Sequence, residues 1–320
     1  MDEKKKPLKA YRNLAFLDSP EARPLRILSE YIEPRSRLAR HGVRDTIVFF
    51  GSARFVDGEA AARAAAEAAT EEERRRAESL GRGARYYDPL ATFGWLAAFT
   101  ERIRLATHVL VLPYHHPLEV AKRYGTLDVI CGGRLILGVG VGSLEPEFDL
   151  IGADFAGRGA RYEDALRALR AVLGRREPEY HGTHYDFSGF VVDPCAVQER
   201  MPIWLGGKTP RSLRRALVFA DGWDPFYLTV DELGALLARA REWPEWRARD
   251  ERGAKLALVF SPDQVFDVAV PEQRERMAAL LRRYAALGTD VLTLRFSSTS
   301  CDNLLEQLDV FAREVAPEFA

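Results

Sequence analysis

The sequence predicts an α/β protein in which parallel strands and helices alternate around a barrel. From about residue 103 onward, short runs rich in β-branched and aromatic residues alternate with amphipathic segments of helical period. This alternation is the sequence signature of a parallel sheet with crossover helices. Six strand and helix units follow one another in series, and so long a series indicates a barrel.

Six strands and six helices can be assigned in order along this part of the chain. The strands are RIRLATHVLVLP, RLILGVGVG, MPIWLGG, GWDPFYL, AKLALVF and TDVLTLRF. The helices between or after them are HPLEVAKRYGTLDVICGG, ARYEDALRALRAVL, RSLRRALVFA, ELGALLARARE, PEQRERMAALLRRYAALG and NLLEQLDVFAREV. Residues 177–202 and 243–252 lack helical period and are interpreted as insertions or connections. Trp204, Trp223 and Phe226 lie in or beside strands and are assigned to the core rather than to substrate contact.

The first 85 residues have a different character. The run DTIVFFGSAR is typical of a strand closed by a glycine turn, and residues 58–80 are typical of a long Ala/Glu/Arg-rich helix with little apolar face. We find no second strand before Tyr86, so a separate nucleotide-binding domain is not predicted. We therefore predict an N-terminal fragment with one strand and helices at residues 1–85, and a barrel domain at residues 86–320.

Composition excludes several classes of function. Apolar residues make up 47% and charged residues 29%, as in soluble globular proteins, and the net charge of −1 argues against a nucleic-acid partner. Cys131, Cys195 and Cys301 are far apart and outside any C-x-x-C spacing, so neither a disulfide framework nor a zinc site is predicted. No signal peptide or membrane span is visible, and we expect a cytoplasmic protein with no membrane partner.

The middle of the chain carries a series of motifs in a fixed order. The segments DPLATFGWLAAFTERIRLATHVLVLPYHHPLEVAKRYGTLDVICGGRLILGVGVG, GADFAGRGARYEDALRALRAVL and VDPCAVQERMPIWLGGKTPRSLRRALVFADGWDPF closely resemble the luciferase-like monooxygenases. Within that family the chain is most similar to the coenzyme F420-dependent oxidoreductases. The resemblance extends from about residue 86 to the end and implies a (β/α)8 TIM barrel.

A second, shorter resemblance lies upstream. The segment KAYRNLAFLDSPEARPLRILSEYIEPRSRLARHGVRDTIVFFGSAR resembles the N-terminus of lysine-decarboxylase-like proteins, which include cytokinin-riboside phosphoribohydrolases. That family's Pro-Gly-Gly-x-Gly-Thr run has no match here. In the luciferase-like family, RIRLATHVLVLP resembles the third strand of eight. The barrel is therefore expected to be incomplete, or to have its first two strands replaced, with TIVFFGSAR as the one candidate for two positions.

One loop has the features of a phosphate-binding site. The reactive groups of a (β/α) barrel lie on loops at the carboxyl ends of its strands. The loop LGGKTPRSLRRA places two glycines between a strand and a helix, which offers backbone N–H groups and a helix dipole to a phosphate. The alternative is only a tight strand-to-helix turn. The resemblance places this loop beside the cofactor phosphate, and the expected donors are Gly206, Gly207, Lys208 and Thr209.

The resemblance implies that the ends of two further strands also lie at the cofactor. At the end of the first family strand, members commonly carry a bulge with a non-proline cis peptide behind the flavin-type ring, which concerns Thr107, His108 and Val109. A small side chain is more usual at the position of His108. The small residues of GVGVGSLEPEF would either admit a flat ring or fit a crowded barrel interior. By resemblance, Gly142 and Ser143 face the cofactor.

The resemblance implies an oxidoreductase that uses coenzyme F420, or alternatively flavin mononucleotide (FMN), to transfer hydride or activate oxygen on a small organic substrate. Two other interpretations stay open: a non-catalytic remnant of a fused barrel, and a nucleoside-monophosphate phosphoribohydrolase without its motif. A small molecule is the expected partner and a homodimer the expected assembly. No metal site is predicted, because the spacing of metal ligands is missing from His115, His116, His181 and His184.

No catalytic residue can be assigned from the sequence. Deazaflavin-dependent members commonly carry an acid and a histidine at the end of the second strand, where they stand over the ring. The nearest residues here, Ser52 and Arg54, offer a hydroxyl and a guanidinium that stays protonated. The sequence therefore predicts weak cofactor binding and slow or undetectable turnover.

Overall fold

The computed structural model describes residues 88–298 and 300–319, together with residues 13, 19, 22, 48–50 and 66–67 upstream. The helix predicted at residues 58–80 lies outside the described residues, except for residues 66 and 67, which are helical. Most of the predicted N-terminal fragment is likewise not described, so the domain boundary after residue 85 stays a prediction.

The described elements alternate between strand and helix along most of the chain. The strands are β1 (Val48–Phe50), β2 (Leu105–Thr107), β3 (Leu110–Val111), β4 (Leu135–Gly140), β5 (Tyr180–His181), β6 (Asp186–Phe187), β7 (Ile203–Gly206), β8 (Gly222–Asp224), β9 (Ala257–Phe260) and β10 (Val291–Leu292). The helices are α1 (Pro89–Ala97), α2 (Pro117–Ile130), α3 (Glu145–Leu150), α4 (Arg158–Val172), α5 (Pro210–Phe219), α6 (Val230–Ala240), α7 (Pro244–Glu251), α8 (Pro271–Ala286) and α9 (Cys301–Glu314).

The main sheet is parallel and its strands follow one another in sequence order. The order is β1-β2-β4-β7-β8-β9-β10, and β3 continues the position of β2 by pairing with the next residues of β4. This arrangement confirms the predicted α/β barrel class and the six parallel strands after Tyr86. Three residues of the predicted strand TIVFFGSAR, Val48–Phe50, form β1, which pairs with β2 in the register Phe49 to Ala106, and the rest of that run lies outside the described residues. β1 therefore occupies one of the two barrel positions, those of the first and second family strands, for which the sequence offered a single candidate strand.

Side chains of the strands alternate between two layers, because successive residues of a strand point to opposite faces of a sheet. One face packs against the helices and includes Leu105, Leu137 and Phe260. The other face forms a separate buried cluster inside the curve of the sheet, made of Ala106, Ile136, Trp204 and Val259. Trp204 and Trp223 are both buried, as predicted, but they lie on opposite faces of the sheet.

Two stretches interpreted as connections contain regular structure. Residues 177–202 include the antiparallel hairpin of β5 and β6, in which Tyr180 pairs with Phe187. Residues 243–252 include helix α7, which was not predicted from the sequence. Proline occupies the first turn of this eight-residue helix, and Arg249 is its one buried residue. A helix with so small a buried face shows no hydrophobic period, so the stretch is a connection, as interpreted, but one that contains a helix.

None of the helices in the described part of the chain is long and apolar enough to cross a membrane.

Candidate functional site

A cavity of about 550 Å³ lies at the carboxyl ends of the central strands. Its walls come from the segments that follow β2, β4, β7 and β8. Eight of the nine predicted site residues line this cavity, and Thr107 is the exception. Those eight are His108, Val109, Gly142, Ser143, Gly206, Gly207, Lys208 and Thr209.

The loop between β7 and α5 is held in one conformation by hydrogen bonds from buried side chains. The carbonyl oxygen of Gly207 accepts from Ser212 Oγ at 2.7 Å and from the Trp223 indole Nε1 at 3.0 Å. Thr209 and Ser212 form a capping box at the start of α5. Gly207 has a φ of +121°, a backbone conformation that residues with a side chain rarely adopt. The protein's own side chains therefore fix the shape of the loop.

The backbone donors of this loop differ from those predicted. The Thr209 N–H is already used, because it donates to Ser212 Oγ at 3.1 Å. Within the described part of the chain, the N–H groups of Gly207 and Lys208 make no hydrogen bond. Both lie just before the ten-residue helix α5, at the positive end of its dipole. The N–H groups of Gly207 and Lys208 are therefore available to an anion at this loop, whereas the predicted donor Thr209 is not.

The bulge at the end of β2 is present, and its peptide bond between His108 and Val109 is cis. Thr107, before it, is 1% exposed, and its hydroxyl donates to the Gly138 carbonyl at 2.7 Å. Thr107 therefore fixes β2 to β4 instead of facing the cavity. The Val109 side chain lies against Gly140 and Gly206, where it forms part of the cavity floor.

The glycines in and just after β4 lie close against neighbouring protein atoms. A Cβ atom on Gly138 would lie 1.8 Å from the Thr107 carbonyl oxygen, and one on Gly140 would lie 2.8 Å from the Val109 side chain. A Cβ on Gly142 would meet the Phe148 ring at 2.7 Å. At all three positions a close protein neighbour explains the absence of a side chain, and Gly140 and Gly142 also line the cavity.

The segment after β4 is fixed by an arginine. Arg158 Nε donates to the Gly142 carbonyl at 3.1 Å, and its guanidinium stacks 3.5 Å from the centre of the Phe155 ring. Ser143 follows Gly142 and lines the cavity from the same supported segment. The predicted pair Gly142 and Ser143 therefore faces the cavity from a backbone that the protein holds in place.

Two titratable side chains meet at the interior end of the sheet. His108 Nε2 lies 3.2 Å from Asp224 Oδ2. The Asp224 side chain is fully buried, whereas 21% of the His108 side chain is exposed. Burial raises the pKa of Asp224 well above its usual range. Burial, and secondly the charge of Arg295, lower the pKa of His108 to about 4. Both shifts favour the uncharged form of each group near neutral pH.

Asp224 was not predicted from the sequence, although a signal for it existed. Alternation along a strand places residues two apart on the same face. Gly222 contacts Trp204 inside the sheet, so Asp224 at the carboxyl end of the same strand points to the same side. Polar residues at such strand ends are the usual functional positions of a barrel.

Several other residues at the cavity were also missed. Phe226 was assigned to the core, but it is half-buried and lines the cavity, so that interpretation was wrong. Tyr227 beside it is 54% exposed. Arg215 reaches the cavity from α5 and pairs with Glu163 at 2.6 Å. The remaining side chains are apolar or hydrogen-bonded and include Val111, Leu144, Glu147, Tyr162, Leu205 and Ser212.

Comparison with known families gives one extended match. A family model described as luciferase-like monooxygenase matches residues 35–299. The match begins upstream of Tyr86 and includes β1.

Individual relatives match over shorter lengths. An uncharacterized protein of Mycobacterium tuberculosis is 37% identical over 158 residues, which is 49% of this chain and 52% of that protein. The chain thus spans about half the length of this relative. A second protein of that organism, named as a coenzyme F420-dependent oxidoreductase, is 32% identical over 157 residues, or 45% of this chain and 44% of its own length.

A solved structure shares the fold. It is an F420-dependent secondary alcohol dehydrogenase in complex with an F420-acetone adduct. It superimposes with a TM-score of 0.64 and 16% identity, covering 93% of this chain and 96% of its own. At this level of identity the likeness concerns the fold alone.

Proposed function

Because the chain belongs to the luciferase-like monooxygenase family, we propose that it is an oxidoreductase with a flavin-type cofactor in the cavity beside β4, β7 and β8. The cofactor is coenzyme F420, with FMN as the alternative. The reaction is hydride transfer to or from a small organic substrate, or oxygen activation towards it. We further propose that the protein is cytoplasmic, forms a homodimer, and acts on neither nucleic acid nor membrane.

One observation carries this proposal: the family-like segments converge on a single cavity. Residues from three separate loops, represented by Val109, Gly142 and Gly207, line the same space. They are far apart in the chain, and the sequence motifs alone point to each of them. A cavity of about 550 Å³ also falls within the range of small-molecule and cofactor sites.

The residues present fit such a cofactor. The uncommitted N–H groups of Gly207 and Lys208, at the start of α5, suit a phosphate group. The side chains of Val109, Leu144 and Phe226 provide apolar walls against which a flat ring can pack. When bound, a flavin or deazaflavin supplies the hydride or oxygen chemistry. The protein's own task is to orient the ring and the substrate and to exclude water.

F420 is favoured over FMN on sequence grounds. The relative named as an F420-dependent oxidoreductase is 32% identical, and the sequence motifs are most similar to that branch of the family. Both cofactors carry a phosphate, so the loop at Gly207 and Lys208 serves either one.

We expect measurable but slow turnover. Deazaflavin-dependent members of the family commonly carry an acid and a histidine at the end of the second strand, and the sequence has neither at the corresponding place. Losing a positioned proton-transfer group typically lowers the rate about 10²- to 10⁴-fold. The assay is steady-state oxidation of reduced F420 and reduced FMN with a panel of enones, aldehydes and ketones, and the reverse reaction with alcohols. Slow oxidation that depends on both enzyme and substrate supports the proposal.

Two results of this assay would contradict either the expected slow turnover or the proposed oxidoreductase function. A turnover near the typical enzyme median of about 10 s⁻¹ would refute the expected slowness. Tight cofactor binding with no oxidation for any substrate would instead identify a non-catalytic remnant of the barrel, and the oxidoreductase proposal would then fail.

A further inference from the structure

One tyrosine at the mouth of the cavity has a backbone conformation that is unusual for its residue type. Tyr227 lies between β8 and α6 and has a φ of +52°. Among the residues that the structure describes, every other positive φ belongs to a glycine. For a bulky residue the left-handed region is costly, because Cβ comes close to the following carbonyl oxygen. Glycine or asparagine would adopt this conformation at a lower cost.

The conformation is imposed by fixed structure on both sides of Tyr227. Asp224 ends β8 and is buried, and Pro225 follows it with a restricted backbone. On the other side, Leu228 packs against the main core and Thr229 starts α6 with a capping box. A tight turn is therefore required between these two anchored ends, but nothing in the turn requires a tyrosine.

Burial does not account for the tyrosine either. Tyr227 is 54% exposed, and its ring meets the Phe226 ring edge to face, with 5.4 Å between the two centroids. Both residues line the cavity. Backbone strain of this kind persists mainly at functional sites, and a large exposed apolar surface beside a cavity is typical of a ligand contact.

The mouth of the cavity offers apolar surface to such a ligand. Leu144, on the segment after β4, also lines the cavity and is exposed. Two charged side chains of the cavity wall are already engaged within the protein. Arg215 pairs with Glu163 at 2.6 Å. Glu147 accepts a hydrogen bond from the Tyr114 hydroxyl at 2.7 Å.

We propose that Tyr227 is a specificity-determining residue whose ring stacks on the planar, apolar body of the substrate. In the proposed arrangement the cofactor ring lies against Val109 at the cavity floor, so the exposed Tyr227 is on the open side, where the substrate enters. Aromatic rings prefer offset-stacked or edge-to-face contacts with other flat rings, which selects aromatic substrates over short aliphatic ones. This inference rests on the proposed function and names its substrate class.

The first test measures thermal unfolding of the protein without cofactor. Tyr227→Asn should unfold at or above the wild-type midpoint, because asparagine tolerates the left-handed conformation and the residue is already more than half exposed. Tyr185→Asn, which removes a buried tyrosine, is the matched control and should lower the midpoint. A Tyr227→Asn midpoint below that of wild type would show that the fold itself requires the tyrosine, and would overturn the proposal.

The second test measures substrate binding to protein loaded with oxidised F420 or FMN, which has no hydride to give to an aldehyde. Benzaldehyde, which has a flat ring, and propanal, which has none, are titrated and followed by cofactor fluorescence. Tyr227→Asn should raise the benzaldehyde Kd about fivefold or more. It should change the propanal Kd and the cofactor Kd by less than about twofold. Tyr227→Phe keeps the ring and should bind benzaldehyde like wild type.

Trp95→Ala removes an exposed aromatic side chain outside the cavity lining and should leave every Kd unchanged. Equal losses for benzaldehyde and propanal in Tyr227→Asn, or a weakened cofactor Kd in that variant, would overturn the assignment of Tyr227 to the substrate. Loaded wild type that does not bind benzaldehyde would overturn it as well, with the proposed function intact. Wild type that binds neither F420 nor FMN would instead refute the proposed function, and the substrate site with it.

Discussion

Replacement of Gly138 by alanine is expected to destabilise the protein strongly. The added Cβ would lie 1.8 Å from the Thr107 carbonyl oxygen, far inside van der Waals contact. Backbone on both sides limits relief, because β2 and β4 are paired and Thr107 also donates to the Gly138 carbonyl. Overpacking of a core typically costs about 1–3 kcal/mol, and we expect a loss of roughly 3 kcal/mol or more in the free energy of unfolding.

Thermal and urea unfolding, followed by circular dichroism, measure this effect. Gly94→Ala is the matched control, since a Cβ at that helical position of α1 meets nothing within 4 Å. It should leave stability unchanged or raise it by about 0.5–1 kcal/mol, because alanine favours helix over glycine. If Gly138→Ala unfolds at the wild-type midpoint, the described packing of β2 on β4 is incorrect.

Replacement of Gly207 by alanine is expected to raise the cofactor Kd at least tenfold, equivalent to about 1.4 kcal/mol. On the sequence alone, a bulky side chain here would act by blocking the phosphate directly. The structure gives a different reason, because the Cβ would lie 2.8 Å from Ser212 Cβ, within the loop itself. The φ of +121° adds strain of roughly 1–3 kcal/mol for a residue with a side chain. The loop must then move, and its backbone donors move with it.

Fluorescence titration with F420 and with FMN measures this effect against two comparison variants. Lys208→Ala should weaken binding only severalfold, because an exposed charge contributes about 0.2–1 kcal/mol. Gly253→Ala also forces a side chain onto a positive φ, of +65°, but meets nothing within 4 Å and lies outside the cavity lining. It should bind like wild type. Equal Kd values for wild type and Gly207→Ala would remove this loop from the binding site.

The order of the strands was predictable because it depends on local patterns. Each strand carries a run of apolar residues and each helix an amphipathic period, and right-handed crossovers then fix a parallel sheet. The loop at Gly207 was predictable for a similar reason, since glycines between a strand and a helix are visible in the sequence. Helix α7 was not predictable from hydrophobic period, because Arg249 is its one buried residue.

Contacts between strands that are distant in the chain could not be predicted from the sequence. Asp224 could be placed at a strand end, but its approach to His108 depends on how β2 and β8 curve towards each other, which no local pattern records. The small residues of β4 are a similar case. Whether Gly140 admits a ring or a neighbouring side chain depends on Val109, which is brought there by the fold. Likewise, the use of the Thr209 N–H within its own capping box required the loop geometry.

The proposed function places a flavin-type cofactor in this cavity, with its phosphate at the start of α5. A crystal structure of the full chain grown with F420 tests it most directly. We expect the ring in the cavity beside His108 and Val109, with a phosphate oxygen within hydrogen-bond distance of the N–H groups of Gly207 and Lys208. A cofactor bound elsewhere on the chain, or one whose phosphate leaves both N–H groups without contact, would contradict it.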